Sequence, residues 1–201
     1  MRPSSPFAVA LAALLAAPVA ASAAPARRFG TTRGAEPAAA PAPFSRDLKI
    51  GGMVGLELGD LDGFTLRLDA EIPIVPLGSA GTLAGVGSVG YTRLTKTAWI
   101  GDVTWNVVTV IPAARFEGIV APRVGLYGDV GAGLYTARFS TDTGVSTISD
   151  STTGFAMRLA GGCFYELTPK MRLGAEIGFV PYFGKADMHD ATLLVGAMFT
   201  L

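Results

Sequence analysis

Beyond residue 46 no apolar run reaches the length that a membrane-crossing helix needs, yet apolar and polar residues alternate with a period of two through nearly all of the remainder. That pattern leaves β-strands with two unlike faces as the main way for this chain to fold. In Phe64-Thr65-Leu66-Arg67-Leu68-Asp69-Ala70-Glu71-Ile72 one face is wholly apolar and the other polar or charged. The stretch from Met171 to Phe179 repeats it, with Met171, Leu173, Ala175, Ile177 and Phe179 set against Arg172, Gly174, Glu176 and Gly178.

Alternation and turn residues together predict eight strands, near 47–58, 63–74, 83–94, 103–117, 122–139, 153–167, 170–182 and 191–201. The turns between them fall at Gly59 to Gly63, Pro76-Leu77-Gly78, Gly101-Asp102, Glu117-Gly118, Thr168-Pro169-Lys170 and Gly184 to Asp190. One longer polar connection runs from Ser140 to Thr152. The fourth strand carries a conflict of parity: Trp105, Val107 and Ile111 share one face, whereas Phe116 takes the other. A bulge at Pro112 would reconcile them. The third strand, rich in Gly81, Gly85, Gly87 and Gly90, has no clear face. An even number of short, sequentially connected strands predicts an all-β fold, an antiparallel up-and-down barrel of about eight strands spanning residues 47–201.

The N-terminus belongs to export. Met1-Arg2 is followed by an apolar stretch from Phe7 to Ala20 and by Ala21-Ser22-Ala23, the small-residue form of a signal-peptidase site, so residues 1–23 read as a signal peptide. The stretch is alanine-rich and broken by Pro18, which argues against a retained membrane helix. No cysteine near the cleavage site could accept a lipid. Residues 24–46, mostly Ala and Pro, bury too little to fold and read as a disordered linker.

Alternating strands suit either a soluble barrel with an apolar interior or a membrane barrel with an apolar exterior. The minority face favours the second. It carries long charged residues interleaved with Gly125, Gly131, Gly133, Gly162 and Gly174, a mixture suited to a narrow, crowded interior where opposite charges pair. Arg67, Asp69, Asp129, Arg158 and Glu176 fall near the middle of their strands. Lys49, Glu71, Arg123, Glu166 and Arg172 fall toward one end. The expectation is a lumen network in two layers, five charges of each sign, tight enough to close the barrel. Aromatic residues are expected to form two girdles on the outer wall, with Tyr135, Phe139, Phe155, Phe179, Tyr182 and Phe183 above and Phe116, Tyr165 and Phe199 below.

The last strand, Leu193 to Leu201, runs to the final residue. Gly196, Phe199 and Leu201 resemble the terminal recognition strand of bacterial outer-membrane barrels, where a glycine is followed by an aromatic three positions on and a hydrophobic residue at the end. Leu194 stands where that pattern has a polar residue. The stretch from Ala121 to Tyr135 likewise resembles a mid-barrel strand of small porin-like proteins of the OmpA, OmpX and OmpW sort. The resemblance covers about residues 47–201. It implies a bacterial outer-membrane location, contact with outer-membrane lipid, and handling by the barrel-assembly machinery through Gly196, Phe199 and Leu201.

Some such barrels are enzymes, so chemistry must be sought. His189, the only histidine, lies beside Asp190 in a short polar stretch and could serve as a base. In the lipid A deacylase type a Ser follows its His by two, and here that position is Ala191. No second histidine exists to build a metal site, and the isolated Cys163 reads as packing. The glycine pairs sit inside strands, not before a helix as a phosphate loop requires. With 16 basic and 16 acidic residues the chain carries no electrostatic footprint for nucleic acid. The expectation is a non-enzymatic envelope protein without cofactor or metal, in a structural, surface-interaction or small-solute role. The alternatives are an envelope hydrolase of lipid A or peptides and a soluble periplasmic ligand-binding barrel.

Overall fold

The computed structural model describes residues 47–59, 62–98, 101–142, 147–184 and 188–201. The expectations for a signal peptide at 1–23 and a linker at 24–46 lie outside these residues. Eight strands form in chain order: β1 (Lys49–Gly59), β2 (Asp62–Pro76), β3 (Thr82–Ala98), β4 (Gly101–Ala121), β5 (Val124–Asp142), β6 (Thr147–Thr168), β7 (Met171–Phe183) and β8 (Met188–Thr200). Each pairs antiparallel with its neighbours in sequence. β8 returns to pair with β1 and closes the barrel. Closure removes the free edges that an open sheet of this length would expose.

Both ends of the domain, Lys49 and Thr200, lie opposite each other at one end of the barrel, called the lower end here. Three tight connections share that end: Leu77 to Gly81, with a single 3-10 turn at Gly78–Ala80, then Pro122-Arg123, then Pro169-Lys170. Register shifts occur at Pro73/Val75, Ile119/Ala121 and Glu166/Thr168, each just before one of these turns. Bulges at a barrel rim bend the strand into its turn.

The strands outrun their predicted ends. Glu117 and Gly118 are not a turn: β4 continues to Ala121, and Glu117 pairs with Thr82 and Tyr127. Gly101 and Asp102 already pair across to β3. The long connection read from Ser140 to Thr152 is largely a hairpin extension, with Ser140 opposite Ser149 and Ala137 opposite Thr152. Polar side chains on both faces hid it, because above the apolar belt a strand has no reason to alternate. β8 likewise begins at Met188, inside the predicted loop. No bulge forms at Pro112. Val110 opposite Leu134 and Ala113 opposite Gly131 keep one register across it.

Burial alternates as the pattern requires. In β2, Thr65, Arg67, Asp69 and Glu71 are buried, whereas Leu66, Leu68 and Ile72 are exposed. The same division continues around the ring, with Val54, Val89, Val110, Leu126, Val130, Leu159, Ile177 and Val195 all facing outward and exposed. An apolar wall of this extent would be intolerable in water. Phe155 and Tyr165 on the outside of β6 are both exposed. Ten positions of strand at a tilt of about 40° separate them by about 25 Å along the barrel axis, the height of an outer-membrane apolar band.

Candidate functional site

The lumen of an eight-stranded barrel is just wide enough for side chains to fill, and here they fill it with charge. At mid-height Arg67 makes a bidentate bond to Glu176, Nη1 to Oε1 at 2.6 Å and Nη2 to Oε2 at 2.7 Å, and also reaches Asp69 Oδ2 at 3.0 Å. Arg158 reaches Asp129 Oδ2 at 3.2 Å and Ser88 Oγ at 2.8 Å. Toward the lower end Lys49 bonds to Glu71 and, at 3.2 Å, to Glu117. Arg172 reaches Glu117 Oε1 at 3.0 Å and Glu71 Oε1 at 3.4 Å.

Arg115 joins the two layers. Its Nε and Nη2 hold the two oxygens of Asp129 at 2.7 and 2.8 Å, and its Nη1 donates to Glu71 Oε2 at 2.9 Å. Such pairing is what makes a buried charge tolerable. The pairs that link β1, β2, β4, β5, β6 and β7 comprise five cations and five carboxylates among the described residues. The set differs from the predicted one in two members, Arg115 and Glu117 taking the places of Arg123 and Glu166.

Arg123 is a correction to the sequence reading. It lies in the two-residue turn Pro122-Arg123, exposed, with φ of 68°, and so never enters the lumen. Glu166 is half-buried on the wall of the lower mouth, outside the ion pairs. Trp105, Val107 and Ile111 share the parity of Arg115, so that face of β4 reads as apolar in the sequence. Glu117, beside Gly118, has the sequence context of a turn.

Two glycines shape the network. A Cβ on Gly162 would lie 2.4 Å from the ring of Tyr127 opposite, and one on Gly125 would lie 2.1 Å from the ring of Phe164 opposite. Without those side chains each ring lies flat against the facing strand. Each then offers its face to a guanidinium, Arg115 at 4.3 Å over Tyr127 and Arg172 at 4.6 Å over Phe164. Tyr127 Oη also donates to Glu176 Oε2 at 3.0 Å.

Above the charges the lumen turns apolar. Leu94, Val107, Ile111, Tyr135, Ala137, Ala156, Val180, Tyr182 and Met188 form one buried cluster, with Trp105 packed against it. This explains the parity conflict in β4: its inner face is apolar above and charged below, and Phe116 simply faces out. Tyr135 and Tyr182 are therefore lumen residues, packed edge to face, and do not belong to an outer girdle. Phe139 stacks on Trp105 and leaves the girdle with them. Phe155 and Phe183 are exposed outside, as are Phe116, Tyr165 and Phe199 nearer the lower end. At the junction of the two zones the buried Glu57 accepts hydrogen bonds from Thr65 Oγ1 at 2.5 Å and Tyr182 Oη at 3.0 Å. Nothing in the alternation of β1 singles it out.

The spaces between these groups are water-sized, a cavity of about 30 Å³ above the mid-height layer and one of about 20 Å³ below it. The lower mouth widens to about 370 Å³ around Lys49, Glu117 and Arg172. His189 and Asp190 lie in β8, where adjacent side chains take opposite faces. His189 is exposed on the outside, its ring 6.1 Å from that of Phe179, and Asp190 is buried inside, so the two make no dyad. At the end of β8, Gly196 sits between Met53 and Gly174, Phe199 between Ile50 and Met171, and the Leu201 amide donates to the Leu48 carbonyl at 3.0 Å.

A family model described as an outer membrane protein beta-barrel domain matches residues 7–199. No curated protein matches the chain. Among solved structures the chain is similar to Neisserial surface protein A, at 20% identity and a TM-score of 0.55, over 77% of this chain and 96% of that one. It is similar also to a major outer membrane protein from Thermus thermophilus, at 13% identity and a TM-score of 0.56, over 77% and 99%. At these identities the likeness is one of fold.

Proposed function

The chain belongs to the outer membrane β-barrel domain family, and on that premise we propose that it is a non-enzymatic barrel of the bacterial outer membrane whose lumen is a packed core and whose work is done by its wall and outer rim. The observation that carries this reading is the lumen itself, crossed by ten paired charges and capped by an apolar cluster, with water-sized spaces between. A pore needs a continuous wet path, and here the polar groups that could line one are spent on each other. The outer wall of exposed Leu, Val and Ile speaks against a soluble ligand-binding barrel. A hydrolase reading loses its candidate base, since His189 faces away from Asp190.

On this reading residues 1–23 are the export signal, residues 24–46 precede the barrel as a linker, and the end holding Lys49 and Thr200 faces the periplasm. Gly196, Phe199 and Leu201 serve the assembly machinery. The direct test is solute passage. Proteoliposomes carrying the protein should swell no faster in isotonic pentose than empty liposomes do, and rapid swelling would reject the closed lumen.

A further inference from the structure

The apolar outer wall is interrupted by one polar row near its upper end. The register sets Arg93 of β3 opposite Asn106 of β4, and Asn106 opposite Arg138 of β5. All three share the outward parity of the exposed residues below them, Val89 and Tyr91, Val108 and Val110, and Leu134. Arg93 and Arg138 are exposed and stand two strand spacings apart, about 10 Å. Neither makes an ion pair among the described residues. An outward carboxylate, Asp62, sits two residue pairs higher opposite Thr95, without an ion pair to Arg93 among the described residues. Tyr91 Oη donates to Asn106 Oδ1 at 2.8 Å, which holds the carboxamide in the row.

Two arginines on a lipid-facing wall are costly at the bilayer midplane and nearly free at the interface. The row therefore marks the level of the lipid head groups, the level also of the exposed Phe64 and Tyr91. Just beneath it lies a groove of about 510 Å³ in the outer wall. Gly52 and Gly90 leave the wall thin there, Leu66 and Leu68 line it, and Tyr91 and Val108 close its upper end. Arg93 and Asn106 each stand two residues further along the same strands, about 7 Å above.

We infer that the outer face of β1 to β5 is a seat for one phosphorylated acyl lipid of the outer leaflet. Arg93, Asn106 and Arg138 hold its phosphate oxygens, and an acyl chain lies in the groove below. Guanidinium forks match phosphate geometry, and neither arginine is held in an ion pair among the described residues. The inference rests on the outer-membrane reading for the source of the lipid but not on the closed lumen.

The test uses protein purified from outer membranes in detergent, titrated in native mass spectrometry with diphosphorylated lipid A and with the same lipid after removal of its phosphates. One lipid should bind. Arg93→Gln with Arg138→Gln should weaken binding about tenfold or more, as should loss of the phosphates. Arg123→Gln with Lys170→Gln, in the lower turns, should leave it unchanged. Gly52→Leu should weaken it too, by filling the groove. A Cβ at Gly52 meets nothing nearer than Leu68 Cδ2 at 3.5 Å, so the variant should still form a barrel with unaltered heat-modifiable mobility. Equal binding by the double arginine variant, equal binding of the dephosphorylated lipid, or complete displacement by millimolar inorganic phosphate would overturn the inference. Because the titration is done in micelles, its failure leaves the closed-lumen reading standing, and failure of that reading leaves the lipid seat standing.

Discussion

Arg115 is the residue on which the lumen turns. It ties Asp129 in the mid-height layer to Glu71 in the lower one and lies over the ring of Tyr127. Replacing it with Met removes one cation and leaves two buried carboxylates short of a partner, an arrangement that costs about 3–5 kcal/mol. Arg115→Met should therefore lower the unfolding free energy in lipid vesicles by about that amount. Combining it with Asp129→Leu should cost less than the sum of the single losses, because the second change relieves a carboxylate that the first stranded. Strict additivity, measured by urea unfolding, would show that the two do not act as a pair. Arg115 was illegible in the sequence for a physical reason. A lumen whose chemistry changes with height puts Trp105 and Arg115 on the same face of one strand, and a single-parity reading has to choose between them. Arg123 fails in the opposite way: its parity is right, but it lies in the turn Pro122-Arg123, ahead of the start of β5 at Val124.

At the scale of elements, the strand centres were plain in the alternation, as β2 and β7 show, and the strand ends were not. Ser140, Asp150 and Thr152 look like loop because strands that leave the apolar belt keep their ladders but lose the need for an apolar face. Asp190 was hidden with them, in a stretch read as loop that is the start of β8. The closing seam is where one strand belongs to two ladders. Phe199 pairs with Ile50 on one side and Met171 on the other, and Thr200 with Lys49, so the last residues are rungs of two ladders at once. Deleting residues 199–201 should sharply reduce the heat-modifiable form found in outer-membrane fractions. Phe199→Leu, which keeps an apolar side chain against lipid, separates the two roles. If the aromatic is part of the assembly signal, this variant too accumulates poorly, whereas normal assembly would reduce Phe199 to a wall residue.

For the whole molecule, an uncharged total conceals a strongly charged interior. The chain carries 16 basic and 16 acidic residues. Its paired lumen set is itself balanced, and the apolar cluster from Leu94 to Met188 packs above it. The balance was legible in the sequence although two of its members were not. The reason is that a buried network must be neutral whichever residues supply it. Current recordings in planar bilayers test this most directly. The unmodified protein should show no steady conductance, and the Arg67→Ala, Arg158→Ala variant, which frees Glu176 and Asp129 from these partners, should show steps that the parent lacks. Large, long-lived channels in the unmodified protein would contradict the account.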